Sequence, residues 1–432
     1  MMQTNPKDIT TASMIQYGFL ALPIAFAGFP IYIHAPDYYA SEFGASLSSL
    51  AAILLFLRLI DAVQDPLIGA LSDHYKNQRA TIILVAALCL ALGFYLLFTP
   101  SKNIHLQIWF FATVLLVTTA YSILVINLTA IGGIWSSTKH QRTKIVMTRE
   151  ALALIGLLLA VCLPPILNTK IAPQLSFQWM SLLLLTLLLA ALSVFLKWYK
   201  KNKTSIEQTK SSSTKLNPLR QLKSLSQETR YFLSIYGLSM LASSIPAILI
   251  IFFVRDFLNL PKFIGLFLIL YFLTAAFAMS FWAKLSQTLD NKKQTWMIAM
   301  ALAILSFIWV LFLKPGDLYA YSAICIISGF AFGAELALPP SILADQIAEQ
   351  KKQEESAFLF SQLTLLTKLT AALSTAIIFP LLEFTGFQPS KENDANTLFV
   401  LVICYGGIPC LIKLGAIALL YFHPQSERIK ER

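Results

Sequence analysis

Charge is scarce in this sequence. Only 13% of its 432 residues are Asp, Glu, Lys or Arg, against roughly 25% in an ordinary soluble domain. A water-soluble fold has too little polar surface to cover a chain that is 57% hydrophobic with a mean hydropathy of +0.68. Cysteine is sparse as well: Cys89, Cys162, Cys325, Cys404 and Cys410 all lie inside apolar stretches and show no C-x-x-C spacing, which leaves them as small core residues rather than metal or redox ligands. No nucleophile–base set, metal cluster or phosphate loop stands out. Ser356 and Asp345 fall in a loop with no histidine near them in sequence, so neither enzymatic catalysis nor a cofactor is expected. The formal charge of +11 does not point to nucleic acid either, because the basic residues separate apolar stretches instead of forming a patch interleaved with aromatics. Membrane lipid is the partner such a distribution fits.

What the chain has in abundance is long apolar runs. They cover approximately 13–35, 47–68, 80–99, 107–131, 147–168, 175–196, 231–254, 263–283, 295–313, 318–342, 357–380 and 396–421, and each is close to the about 20 residues needed to cross a bilayer as a helix. The expectation is an all-α membrane protein of twelve transmembrane helices. Met1 to Thr11 is short and polar, and the first run has no small-residue cleavage site after it, so it should remain as the first helix. Connections are short except for Lys197 to Arg230, a basic stretch containing Ser211, Ser212 and Ser213, which divides the chain into halves 1–196 and 231–432 around a linker 197–230. With both termini inside, about 24 of the 33 basic residues fall on the inner side and about 6 outside, which predicts cytoplasmic termini and a cytoplasmic linker. A bacterial inner membrane and a monomeric state are the accompanying expectations.

A few charges lie where a membrane should be, and an ionisable group at that depth costs about 2.5–3.5 kcal/mol on insertion scales, so it usually marks function. In Leu57-Arg58-Leu59-Ile60-Asp61-Ala62-Val63-Gln64-Asp65-Pro66, Arg58, Asp61 and Asp65 are spaced i, i+3, i+7 on one helical stripe. Two carboxylates one turn apart repel unless a cation or proton lies between them, and Arg58 supplies only one compensating charge. A small cation is the natural further partner: Na⁺ with oxygen ligands from Asp61, Asp65 and the Gln64 amide, or a shared H⁺. A purely structural Arg–Asp–Asp network is the competing reading. Further on, Glu335 sits among apolar residues, where it would pair with Lys368, bind substrate or carry a proton, and Lys413 reads as a snorkelling or locally paired lysine.

The run Gly69 to Arg79, with Asp73 between them, resembles the loop signature of the major facilitator superfamily, in which the acid pairs with neighbouring helices and helps gate the cytoplasmic side. Together, Arg58-x-x-Asp61-Ala-x-x-Asp65-Pro66-x-x-Gly69 resembles the second-helix motif of the glycoside–pentoside–hexuronide:cation symporters, the melibiose-permease-like group. Tyr17-Gly18-Phe19, Asp37-Tyr38-Tyr39, Phe43 to Ser46, Arg149 after His140-Gln141-Arg142, and the stretch from Ser341 through Asp345, Glu349, Glu355 and Ser361 to Lys368 agree with it. The resemblance implies the major facilitator fold of two six-helix halves. It also implies Asp61, Gln64, Asp65 and Ser122 as cation ligands, Lys368 as the charged link between substrate and cation sites, Arg149 near the cytoplasmic side of the cavity, and Gly69, Asp73 and Arg79 as a gating loop; Tyr121, Glu335 and Arg58 join Lys368 and Arg149 as candidate substrate-binding residues.

The sequence departs from the sugar-transporting members where acids in helices one and four hold the sugar: those positions fall on Ala25 and Val125. A site that has lost such hydrogen-bonding groups loses much of its discrimination for sugars. The expected function is therefore Na⁺- or H⁺-coupled symport of a small organic solute, anionic or zwitterionic rather than a simple galactoside. A lysophospholipid transporter or flippase on the same scaffold, and a non-transporting receptor, are the alternatives.

Overall fold

The computed structural model describes residues 9–136, 138–168, 172–207, 218–389 and 391–422. The middle of the basic linker with Ser211 to Ser213, the first eight residues and the tail from His423 lie outside the described residues. Among those described, every regular element is helical. The chain runs through α1 (Thr11–Gly18), α2 (Ala21–Phe29), α3 (Ala35–Phe43), α4 (Leu47–His74), α5 (Arg79–Leu97), α6 (Leu106–Ile134), α7 (Lys139–Asn168), α8 (Pro173–Glu207) and α9 (Pro218–Lys223). It continues through α10 (Gln227–Phe252), α11 (Ile264–Thr288), α12 (Lys292–Phe307), α13 (Leu318–Glu349), α14 (Ser356–Phe384), α15 (Ala395–Val402) and α16 (Ile408–Tyr421). Single π-turns at Pro30–His34, Phe253–Phe257 and Ile403–Gly407 join α2 to α3, extend α10 and join α15 to α16.

Local chemistry sets the boundaries. Gly44 takes a left-handed conformation (φ 67°) that ends α3 and needs no Cβ, and Ser46 then caps α4 by accepting from the Ser49 amide at 3.3 Å. Ser226 caps α10 in the same way, Asn291 caps α12 and Asp394 caps α15. Eleven helical stretches among the described residues are long and apolar enough to cross a membrane. The 28-residue α4 joins them as the helix that carries Arg58, Asp61 and Asp65. Its faces are the reverse of a soluble helix: Leu55, Phe56, Leu59 and Val63 are exposed, whereas Asp61, Asp65 and Ser72 are buried. That inversion suits a lipid surround, in which apolar side chains lose nothing by facing outward.

The chain forms two compact units. One gathers Met1–Lys223, Met279–Ala283 and Leu336–Lys368, and the other Ser224–Ala278, Lys284–Glu335 and Leu369–Arg432. The first unit thus includes the later part of α13 and the beginning of α14 along with α1 to α9. Its core holds Phe98 stacked on Phe177 with centroids 4.3 Å apart, and a Tyr17–Trp135–Trp198 cluster. Trp198 also donates to Ser13 Oγ at 3.0 Å, and α8 winds on to Glu207, past the end of its apolar run at residue 196. In the second unit Phe253 stacks on Tyr405 at 4.1 Å, and the hydroxyls of Tyr405 and Tyr321 lie 2.5 Å apart in its core.

Candidate functional site

On α4, Leu57, Asp61 and Asp65 follow one another at four-residue spacing and are buried on one face. Lys368 of α14 reaches this face within the first unit. Its ammonium lies 3.3 Å from Asp61 Oδ2 and 3.0 Å from each oxygen of Asp65, and donates to Ser122 Oγ of α6 at 2.8 Å. Gln64 donates to Asp61 Oδ1 at 2.5 Å and accepts from Thr119 Oγ1 at 3.1 Å. Asp61 is 2% exposed and Asp65 fully buried. Although Lys368 is close to both oxygens of Asp65, it is aligned for a hydrogen bond only with Oδ1, and Oδ2 has no hydrogen-bond partner among the described residues.

The residues expected to form the cation site, Asp61, Gln64, Asp65 and Ser122, are therefore brought together with Lys368. The compensating cation is Lys368, not Arg58. Arg58 is half-buried and has no carboxylate within ion-pair distance among the described residues; seven residues of helix place it about 10 Å along the axis from Asp65. Counting only groups in direct contact, two carboxylates against one ammonium leave the ionised cluster with a net charge of −1; Arg58, three residues before Asp61, acts on that carboxylate without touching it. Buried charge of that kind is costly unless neutralised, and Asp65 Oδ2, which meets the ammonium at 3.0 Å without accepting a hydrogen bond, together with the hydroxyls and amide around it offers oxygen to a cation or a lone pair to a proton. Among the described residues no three His, Cys, Asp or Glu side chains converge as a metal site.

The other expected residues separate from this cluster. Tyr121 packs against Gly28, where an added Cβ would lie 3.3 Å from its ring. Arg149 is buried and pairs with its neighbour Glu150, leaving its Nη1 without a hydrogen-bond partner among the described residues. Within the second unit Glu335 is paired with Lys413, whose Nζ lies 2.7 Å from both of its oxygens. Of the two readings of Lys413, snorkelling or paired, the paired one describes it: it is a buried ion-pair partner.

Gly69 and Asp73 lie on α4, not in a loop, because the helix runs on to His74. An added Cβ at Gly69 would meet Phe358 Cα and Ser361 Oγ at 2.7 Å and Ala357 O at 2.8 Å, so glycine is what lets α4 and α14 touch backbone to backbone. Asp73 then caps α14 from outside, accepting from the Ala357 and Phe358 amides at 3.0 and 2.8 Å, where a helix N-terminus favours a negative charge. Arg79 completes the contact at 2.6 Å from Asp73 and 3.3 Å from Ser356 Oγ.

Sequence reasoning missed several partners. Thr119 stands one turn from Ser122, and that spacing was the available signal. Arg142, 2.7 Å from Asp345, and Lys76, 3.3 Å from Glu354, are separated from their partners by 203 and 278 residues, which no local pattern reveals. Glu150 and the Lys413 pairing with Glu335 were likewise not anticipated.

A family model described as MFS/sugar transport protein matches residues 14–427. An uncharacterized symporter, YjmB, of Bacillus subtilis (strain 168) is 22% identical over 96% of this chain and 93% of its own length. An uncharacterized symporter of Synechocystis, sll1374, is 25% identical over 48% of this chain and 40% of its own. In three dimensions the chain is similar to a bacterial homologue of the iron transporter ferroportin (TM-score 0.71, 14% identity, 96% of this chain and 99% of that one). It is also similar to the major facilitator transporter FucP (TM-score 0.63, 12% identity, 96% and 98%). At 12–14% identity these likenesses show a shared fold.

Proposed function

The chain belongs to the MFS/sugar transport protein family, an integral membrane family of transporters rather than enzymes, and from that premise we propose that it is a cation-coupled symporter of a small organic solute. The observation that carries this reading is the charge count at α4: Asp61 and Asp65 share one ammonium, Lys368, and the remaining negative charge calls for one Na⁺ or H⁺. The oxygens of Gln64, Ser122 and Thr119 stand by to complete coordination. A guest cation would compete with Lys368 for the two carboxylates, so ion occupancy alters the ammonium that ties α14 to α4 and α6, and ion binding is thereby linked to helix rearrangement. Asp73 with Arg79 is the gating element in this reading, since it holds the start of α14 against α4.

The loss of sugar-type acids at Ala25 and Val125 favours an anionic or zwitterionic solute. We further place both termini and the basic linker on the cytoplasmic face of a bacterial inner membrane, with the monomer as the working unit. The experiment is a thermal-shift screen of a solute panel on purified protein with and without Na⁺, at matched ionic strength and at several pH values. A ligand or ion that binds only the folded state raises stability by mass action, by about 2.7 kcal/mol at a hundred times its Kd. Stabilisation by Na⁺ or by acidification, lost in Asp65→Asn, supports the site. Stabilisation by a lysophospholipid alone, indifferent to both ions, favours the lipid-transporting alternative.

A further inference from the structure

The second unit holds a buried charge pair of its own. Lys413 of α16 directs its ammonium to both oxygens of Glu335 on α13 at 2.7 Å and to Ser243 Oγ on α10 at 3.0 Å. Ser243 in turn donates to Glu335 at 3.2 Å, and Ser239, one turn away, lies at 3.5 Å. Ser244 is hydrogen-bonded to Ser374 of α14 at 2.8 Å, which extends the strip of hydroxyls. A well-packed apolar pair is often as stable as such an ion pair, so rigidity alone does not account for its presence, and charged groups at membrane depth commonly line transport routes.

Its charge differs from that of the α4 cluster. There a net −1 asks for a cation; here one carboxylate and one ammonium cancel. A lone cation drawn to Glu335 would strand the ammonium, and a lone anion drawn to Lys413 would strand the carboxylate. A molecule carrying both charges exchanges one ion pair for two and strands nothing. The side chain of Lys413 is 10% exposed and that of Glu335 1%, and Ser243 and Ser244 are half-buried, so an incoming anionic group meets the ammonium first.

We infer that Glu335 and Lys413, with Ser239 and Ser243, form a binding site for a zwitterion, the ligand's anionic group taking Lys413 and its ammonium taking Glu335. This rests on the transporter reading above and narrows its solute class. The zwitterion is either a free small molecule or the headgroup of a zwitterionic lysolipid.

The test is equilibrium binding to the full-length protein in detergent by thermal shift and calorimetry. The probes are glycine, β-alanine, γ-aminobutyrate, glycine betaine and lysophosphatidylcholine, with butyrate and butylammonium as singly charged controls. At least one zwitterion should bind tenfold or more tightly than both controls. E335L/K413L should weaken it at least tenfold. E335Q, which leaves the ammonium in place with a neutral partner, should shift preference towards butyrate, and it serves if the double leucine variant fails to fold. Binding by the soluble zwitterions identifies a free solute, and binding by lysophosphatidylcholine alone identifies a headgroup. The inference is overturned if no zwitterion binds, if butyrate or butylammonium binds as well, or if E335L/K413L or E335Q leaves affinity and preference unchanged. No ion gradient enters these measurements, so failure of cation coupling at Asp61 and Asp65 would not alter them, and their failure would leave the coupling test intact.

Discussion

At the scale of single residues, Lys368 decides how the α4 carboxylates are read. From sequence, Arg58, Asp61 and Asp65 form one stripe and Arg58 is the obvious counter-ion; in the fold the ammonium in contact with Asp65 arrives from 303 residues away, and Arg58 acts on Asp61 without a direct ion pair. The carboxylates were legible because membrane-depth charges are few, whereas their partner was reachable only through the family resemblance. Removing one member of a buried charge pair costs about 3–5 kcal/mol, so Lys368→Ala should destabilise the protein strongly. Adding Asp65→Asn to Lys368→Ala should recover part of that loss, since a single carboxylate then remains. A double-mutant cycle by thermal or chemical unfolding measures the coupling; additive effects would show that the two side chains do not share an ion pair. Glu335 carries the converse lesson. Its isolation among apolar residues flagged it, but its partner Lys413, 78 residues on, reads from sequence only as a snorkelling or locally paired lysine with no partner named.

At the scale of helices, each apolar run falls on a helical stretch, because a bilayer-length run is a strong signal, although α7 starts at Lys139 rather than 147 and α8 and α13 run on to Glu207 and Glu349 rather than 196 and 342. Their ends were less legible. The polar run Ser72 to Lys76 reads locally as a loop, yet α4 continues through Asp73 because its carboxylate is taken up by amides 284 and 285 residues away. The backbone contact at Gly69 makes a sharp prediction. Gly69→Ala places a methyl against the Phe358 backbone, which cannot rotate aside, and overpacking of this kind costs about 1–3 kcal/mol. A lower melting temperature is expected, with a greater loss for Gly69→Val; unchanged melting would mean that α4 and α14 are not packed this closely. Asp73→Ala should be at least as damaging, since it removes the cap of α14 and strands the buried Arg79 guanidinium. Asp73→Asn, which can still accept from one amide, should fall between Asp73→Ala and the unmodified protein when unfolding is followed by circular dichroism.

At the scale of the whole molecule, the scarcity of charge and the spacing of apolar runs were enough to read a many-helix membrane protein, and the second-helix motif was enough to read its family. The basic residues make the orientation testable. In a variant freed of its five cysteines, a cysteine replacing Ser212 should react with an impermeant reagent only from the cytoplasmic side, and one replacing Asn103 only from the outside. Labelling of Ser212→Cys from outside intact cells would reverse the topology. The central claim, that Asp61 and Asp65 couple transport to a cation, is tested most directly in proteoliposomes with the solute found by ligand screening. Inward Na⁺ and inward proton gradients are imposed in turn. Unmodified protein should accumulate the solute uphill under one of them, and Asp61→Asn and Asp65→Asn should reach the membrane, lose accumulation and retain gradient-independent exchange. Uphill accumulation that ignores both gradients, or that persists in either Asn variant, would contradict the account.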